Sequence, residues 1–135
     1  MNARWKLTLG VAAVLVVALA ASAMASKTFF TATKGKASIF LALKSGSKQK
    51  IVDFSWDGLK CGPDRFTAGL GDAIKVKNDG SFKSEQPVAG AAEGVEIAAK
   101  VKGQVGQHVA KVTGKLKLTG DCETKVNFTA TESAG

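Results

Sequence analysis

Val95-Glu96-Ile97-Ala98-Ala99-Lys100-Val101-Lys102 alternates side by side along the chain. Val95, Ile97, Ala99 and Val101 fall on one side of an extended backbone, and Glu96, Ala98, Lys100 and Lys102 fall on the other. Successive side chains of a strand point to opposite faces, so a period of two predicts a strand with one buried and one wetted face. The pattern recurs in both directions. Ala110, Val112, Leu116 and Leu118 oppose Lys111, Thr113, Lys115 and Lys117. Val126, Phe128 and Ala130 oppose Lys125, Asn127 and Thr129. Val52, Phe54 and Trp56 oppose Asp53, Ser55 and Asp57, and Ile74 and Val76 oppose Lys75 and Lys77. Residues 38–44 form a more apolar strand on Ile39, Leu41 and Leu43, and residues 29–33 suit an edge strand. No segment after residue 26 carries a helical period.

Turn residues separate these runs at hairpin intervals. Ser45-Gly46-Ser47, Asn78-Asp79-Gly80 and Gly120-Asp121 are the clearest, and Asp79-Gly80 suits a turn that needs positive φ. Residues 103–107 separate Val101 from Val109, although Gly103 and Val105 are placed to prolong the alternation. Residues 62–71, and residues 85–94 with Pro87 among them, read as the longest irregular loops. Seven or eight short strands at this spacing argue a sandwich or a barrel. The expectation is an all-β, antiparallel β-sandwich in one domain, each sheet wet on one side.

The N-terminus has a different character. Arg4 and Lys6 precede an apolar stretch at residues 7–25, which ends in Ala23-Met24-Ala25 before Ser26. Positive charge, apolar core and small-x-small site, in that order, read as a secretory signal peptide. A membrane anchor needs ~20 apolar residues, and this stretch is near that length. The short dense core, the small residues at its end and the charge in front favour cleavage after Ala25, with Ala23 as a lesser alternative. Residues 1–25 are therefore expected to be a signal peptide and residues 26–135 the β-sandwich domain. A secreted, periplasmic or cell-envelope location follows, with membrane contact only if the segment is uncleaved.

Taking Arg4 and Lys6 from the 19 Lys and Arg leaves 17 against 11 Asp and Glu, a net +6. Of these basic residues only Arg65 is Arg. Lysine lacks the planar fork that reads phosphates and bases bidentately, so specific nucleic-acid recognition is not expected. A soluble surface or a loose attraction to polyanions fits better. With no Tyr, and Trp56 the sole tryptophan after the leader, the chain has little aromatic surface on which to stack sugars.

Cys61 and Cys122 are the only cysteines, and an exported chain favours their disulfide. The chain-entropy treatment gives ~4 kcal/mol for a loop of about 60 residues. No Cys-x-x-Cys supports a redox role. An immunoglobulin domain does not fit, because Trp56 precedes the first cysteine and a tyrosine corner is impossible without Tyr.

Asp79-Gly80-Ser81-Phe82, then Val101-Lys102-Gly103, Gly114-Lys115-Leu116, Cys122 and Phe128-Thr129-Ala130 form a further pattern. It resembles small exported bacterial single-disulfide β-sandwich proteins of unassigned function. The resemblance covers roughly the C-terminal half and implies a fold, not an activity.

Candidate sites are few. His108 is the only histidine, at a strand start, and no hydrolase, zinc-protease or P-loop signature accompanies it. Asp53 and Asp57 share a strand face about 13 Å apart, too far for a glycosidase pair unaided; Asp64 and Asp72 follow in the loop. Neither a catalytic residue, a metal ligand nor a cofactor is assigned. Asn127-Phe128-Thr129 matches a glycosylation sequon inside a strand and is read as chance. The constellation with shape is lysine. Lys75, Lys77, Lys100, Lys102, Lys115 and Lys117, with Lys111 and Lys125, each lie on the polar side of a strand. If these strands share a sheet, they build a basic face; scattered solubility lysines are the competing reading. The functional expectation is an exported non-enzymatic binding or structural module, of the cell envelope or extracellular space. One alternative is a binder of anionic polymers or surfaces through the lysine face, and another is a hydrolase of envelope or polysaccharide material.

Overall fold

The computed structural model describes residues 27–106 and 110–133. The expected signal segment and His108 lie outside these residues. Nine strands follow in chain order: β1 Lys27–Lys34, β2 Ala37–Lys44, β3 Lys50–Cys61, β4 Asp64–Leu70, β5 Ile74–Lys75, β6 Ser81–Ala89, β7 Ile97–Val105, β8 Lys111–Gly120 and β9 Thr124–Glu132.

The expected sandwich is corrected to a barrel. β1–β4 and β6–β9 pair in sequence, each antiparallel to the next, with β6 taking its place beside β4. β9 pairs back to β1 through Phe30–Glu132 and Thr31–Thr131, which closes a ring of eight strands. β5 is an extra strand laid against the start of β3. Alternation is the same in a sandwich and a barrel, so it cannot tell two sheets from one closed sheet. Closure also removes the exposed edges of an open sheet.

Two bulges in β3 bend it into the ring. Ala42 pairs with Asp53 but Leu43 with Ile51, which leaves Val52 as the extra residue. Ile51 is therefore buried where the alternation expected Val52. The second bulge lies between Trp56 and Leu59 and places Gly58 at φ 72°. A Cβ on Gly58 would stand 2.6 Å from the Lys36 carbonyl oxygen, so the bulge depends on glycine.

The expected loops are also corrected. Residues 64–70 form β4, and Pro87 lies within β6. β6 meets β4 at only two pairs, Gly69–Ala89 and Leu70–Val88, and Pro87 stands just past the second. A residue without an N–H is tolerated where a ladder gives out. Beyond that point Gln86 does the pairing. Its side-chain oxygen accepts the Asp72 N–H at 2.9 Å, and its amide nitrogen donates to the Asp72 carbonyl at 3.1 Å. Gln86 is the buried polar side chain of the described residues. It mends the strand where β4 breaks before β5.

The interior is packed with apolar side chains. Phe54 meets Phe128 edge-on at 5.7 Å, and Trp56 meets Phe66 at 6.0 Å. Ile97, Ala99, Val101, Val112, Leu116, Leu118 and Ala130 complete the wall as expected. Val95 and Ala110, expected to face inward, are exposed because both lie just outside their strands. The Cys61–Cys122 disulfide forms as expected, with its Cα atoms 5.3 Å apart. It ties the end of β3 to the β8–β9 connection on the opposite wall. Such bridges belong to oxidising compartments. Among the described residues no helix is long and apolar enough to cross a membrane.

Candidate functional site

The ladder register turns scattered lysines into two rows on the outer face of β6–β9. Glu85 stands opposite Lys100, Lys100 opposite Lys117, and Lys117 opposite Lys125. Two residues along, Lys83 stands opposite Lys102, Lys102 opposite Lys115, and Lys115 opposite Asn127. Residues opposite one another in a ladder share a face, with Cβ atoms ~5 Å apart. The intervening row, Ser84, Val101, Leu116 and Val126, turns inward and leaves its backbone as a floor. Floor and rows bound a trough of about 880 Å³ that crosses the strands.

A second groove of about 900 Å³ adjoins it along the Lys83–Lys102–Lys115 row. Lys75 and Lys77 line that groove. Of the expected lysines, Lys100, Lys102, Lys115 and Lys117 meet in the trough, and Lys75 and Lys77 flank it. Lys83 is not among the expected lysines although it follows Phe82 in plain alternation, because it falls between the Asp79-Gly80 turn and the loop expected at residues 85–94.

Like charges directly opposite one another destabilise a sheet. Here Lys100–Lys117, Lys117–Lys125, Lys83–Lys102 and Lys102–Lys115 are all such pairs. Glu85 is the sole acid in the two rows, 3.8 Å from the Lys100 ammonium, with both side chains well exposed. A pair of that kind is worth little. A surface built for solubility intersperses the two signs, and these rows do not. The lysine stems can lie along the apolar trough walls while their ammonium groups stay wet.

The remaining candidates do not converge. Trp56 is fully buried and its indole N–H has no protein partner, so it offers no stacking surface. Asp57 accepts the Thr67 hydroxyl, Asp53 lies on the outer face beside Phe29 and Phe40, and the Asp72 backbone is bridged by Gln86. Among the described residues no three His, Cys, Asp or Glu are grouped to hold a metal. Asp79 is a turn residue. Its carboxylate accepts the Ser81 hydroxyl at 2.7 Å and the Ser81 N–H at 2.9 Å, which holds its pKa below the ordinary carboxylate value.

No protein-family model, curated protein or solved structure matches this chain, so what stands of the bacterial resemblance is an all-β domain with one disulfide.

Proposed function

We propose that this chain is an exported, non-enzymatic binding module that holds a polyanion on the outer face of β6–β9. The carrying observation is the pair of cross-strand lysine rows with a single acid between them. Four directly opposed lysine pairs are a standing electrostatic cost, and a bound polyanion relieves it. The order of charge, apolar core and small residues at the N-terminus supports export, as does the disulfide. The near absence of Arg favours recognition by charge density over recognition of sequence.

Retention on a polyanionic matrix tests the reading. Lys100→Glu with Lys102→Glu reverses charge in both rows. Lys60→Glu with Arg65→Glu is the charge-matched control, a cross-strand pair of β3 and β4 outside both rows. The first pair should elute at much lower salt than the second. Wild-type binding should fade between 0.1 and 1 M salt, as the Debye length falls from ~10 to ~3 Å. Equal losses from the two pairs would mean that only net charge matters, and the basic face would be an ordinary solvated surface.

A further inference from the structure

We infer that the polyanion is a flexible linear chain of phosphates, held along a spiral track of lysines that leaves the basic face and winds around the barrel. This rests on the polyanion reading above and extends it. The track begins with Lys115, Lys102 and Lys83, which stand opposite one another. It passes to Lys75, since Lys75 and Lys83 adjoin the bridged pair Val76–Phe82 and line one groove. Lys75 stands opposite Lys50, Lys50 opposite Lys44, and Lys44 opposite Lys27. All seven are exposed. Neighbouring strands lie ~4.8 Å apart, so the six steps between the seven lysines span about 29 Å measured across the strands.

The geometry selects the ligand. The β9–β1 seam sets Phe30 opposite Glu132, which places Asn127 level with the far end of β1 and not with Lys27. The row therefore climbs the barrel as a spiral, as strand tilt requires. A small anion would meet two or three of these lysines. Duplex DNA, with a persistence length of ~50 nm, is too stiff to follow so tight a curve. A flexible chain can follow it. The track has no Arg and no aromatic residue, hence neither a planar fork nor a stacking surface for bases. Lysine meets phosphate as a point charge, and closely spaced point charges suit a densely charged chain.

The test uses tripolyphosphate, too short to leave the face, and long-chain inorganic polyphosphate, with duplex DNA as the stiff comparison. Lys44→Gln with Lys50→Gln removes charge from the track beyond the face. Lys100→Gln with Lys117→Gln removes it from the face alone, and Lys60→Gln with Arg65→Gln is the control. Circular dichroism checks that each variant is folded. The Lys44/Lys50 variant should bind long polyphosphate several-fold more weakly, with the slope of log K against log salt reduced by about 1.4. Its affinity for tripolyphosphate should be unchanged. The Lys100/Lys117 variant should weaken both. If the Lys44/Lys50 variant binds the long chain as the control does, or weakens duplex binding equally, the track is overturned while the face stands. If the Lys100/Lys117 variant matches the control with both ligands, the face reading fails and the track fails with it.

Discussion

Gly103 faces Gly114 across the β7–β8 ladder, and each bare backbone is covered on its inner side by a phenyl ring from the next strand out. Phe82 stands opposite Gly103, and Phe128 opposite Gly114, so the row reads Phe, Gly, Gly, Phe across four strands. A Cβ on Gly103 would collide with the Thr113 carbonyl oxygen and lie 2.7 Å from the Phe82 Cζ, and one on Gly114 would lie 2.6 Å from the Lys102 carbonyl oxygen and 2.7 Å from the Phe128 Cζ. The rings and the facing carbonyls together occupy the space that two side chains would need.

Gly103→Ala and Gly114→Ala should therefore each destabilise the protein by about 1–3 kcal/mol, the usual cost of overpacking a closed core. Gly71→Ala is the contrast, because its added Cβ would meet only the Ala89 Cβ at 3.8 Å. Urea melts should place the first two midpoints well below wild type and leave the third near it. Three equal shifts would show that rings and ladder both yield, and that the Phe-Gly-Gly-Phe row is not a packing constraint.

Parts of this row were legible in the chain and its consequence was not. Ile97, Ala99 and Val101 announce an inward face by alternation alone, as do Val112, Leu116 and Leu118. Nothing local says that β9 returns to β1, because pairing between distant strands is not written in a period of two. The bulge at Val52 slips the alternation by one residue and buries Ile51 in its place. β4 falls within residues 62–71 and the second half of β6 within residues 85–94, both of which read as loops, and Lys83 stands just before the second. The lysines could be assigned to polar faces from sequence, but their opposition in rows depends on register, which appears only once the ladder is known.

Gln86 replaces a stretch of backbone pairing, so its loss should be felt at Asp72. Gln86→Leu keeps the volume and removes both bonds to the Asp72 backbone. A partly buried donor and acceptor would be left unpaired, at a cost of about 1–3 kcal/mol. Hydrogen exchange should show the Asp72 amide losing protection more than amides in the β7–β8 ladder. Unchanged protection at Asp72 would mean that water or backbone takes over, and that the side-chain bridge is incidental.

The disulfide joins two opposite walls, β3 and the β8–β9 connection, and so closes a loop spanning most of the barrel. Its removal by Cys61→Ser with Cys122→Ser should lower stability by up to ~4 kcal/mol, chiefly by freeing the unfolded chain. Denaturant melts of wild type and the double variant, both without reductant, measure the difference. An unchanged midpoint would show that the barrel is closed by its ladders alone.

Asp79 gives a prediction on the acid side. Its carboxylate accepts the Ser81 hydroxyl first and the Ser81 N–H second, with Lys77 adding a smaller attraction, so its pKa is lowered from 3.8. A carboxylate with a depressed folded pKa contributes stability above its unfolded pKa and loses it as pH falls through the folded value. The Asn78-Asp79-Gly80 turn should therefore hold down to pH 3.8 and loosen only below it. Asp79 is fully exposed, so the effect belongs to the turn and not to the whole fold. Ser81→Ala removes the hydroxyl bond and keeps the backbone bond, so it should bring the Asp79 pKa part of the way back. Carboxyl carbon shifts followed by NMR through the acid range measure both proteins. An Asp79 that titrates alike in wild type and Ser81→Ala would show that the hydroxyl contributes nothing to the turn.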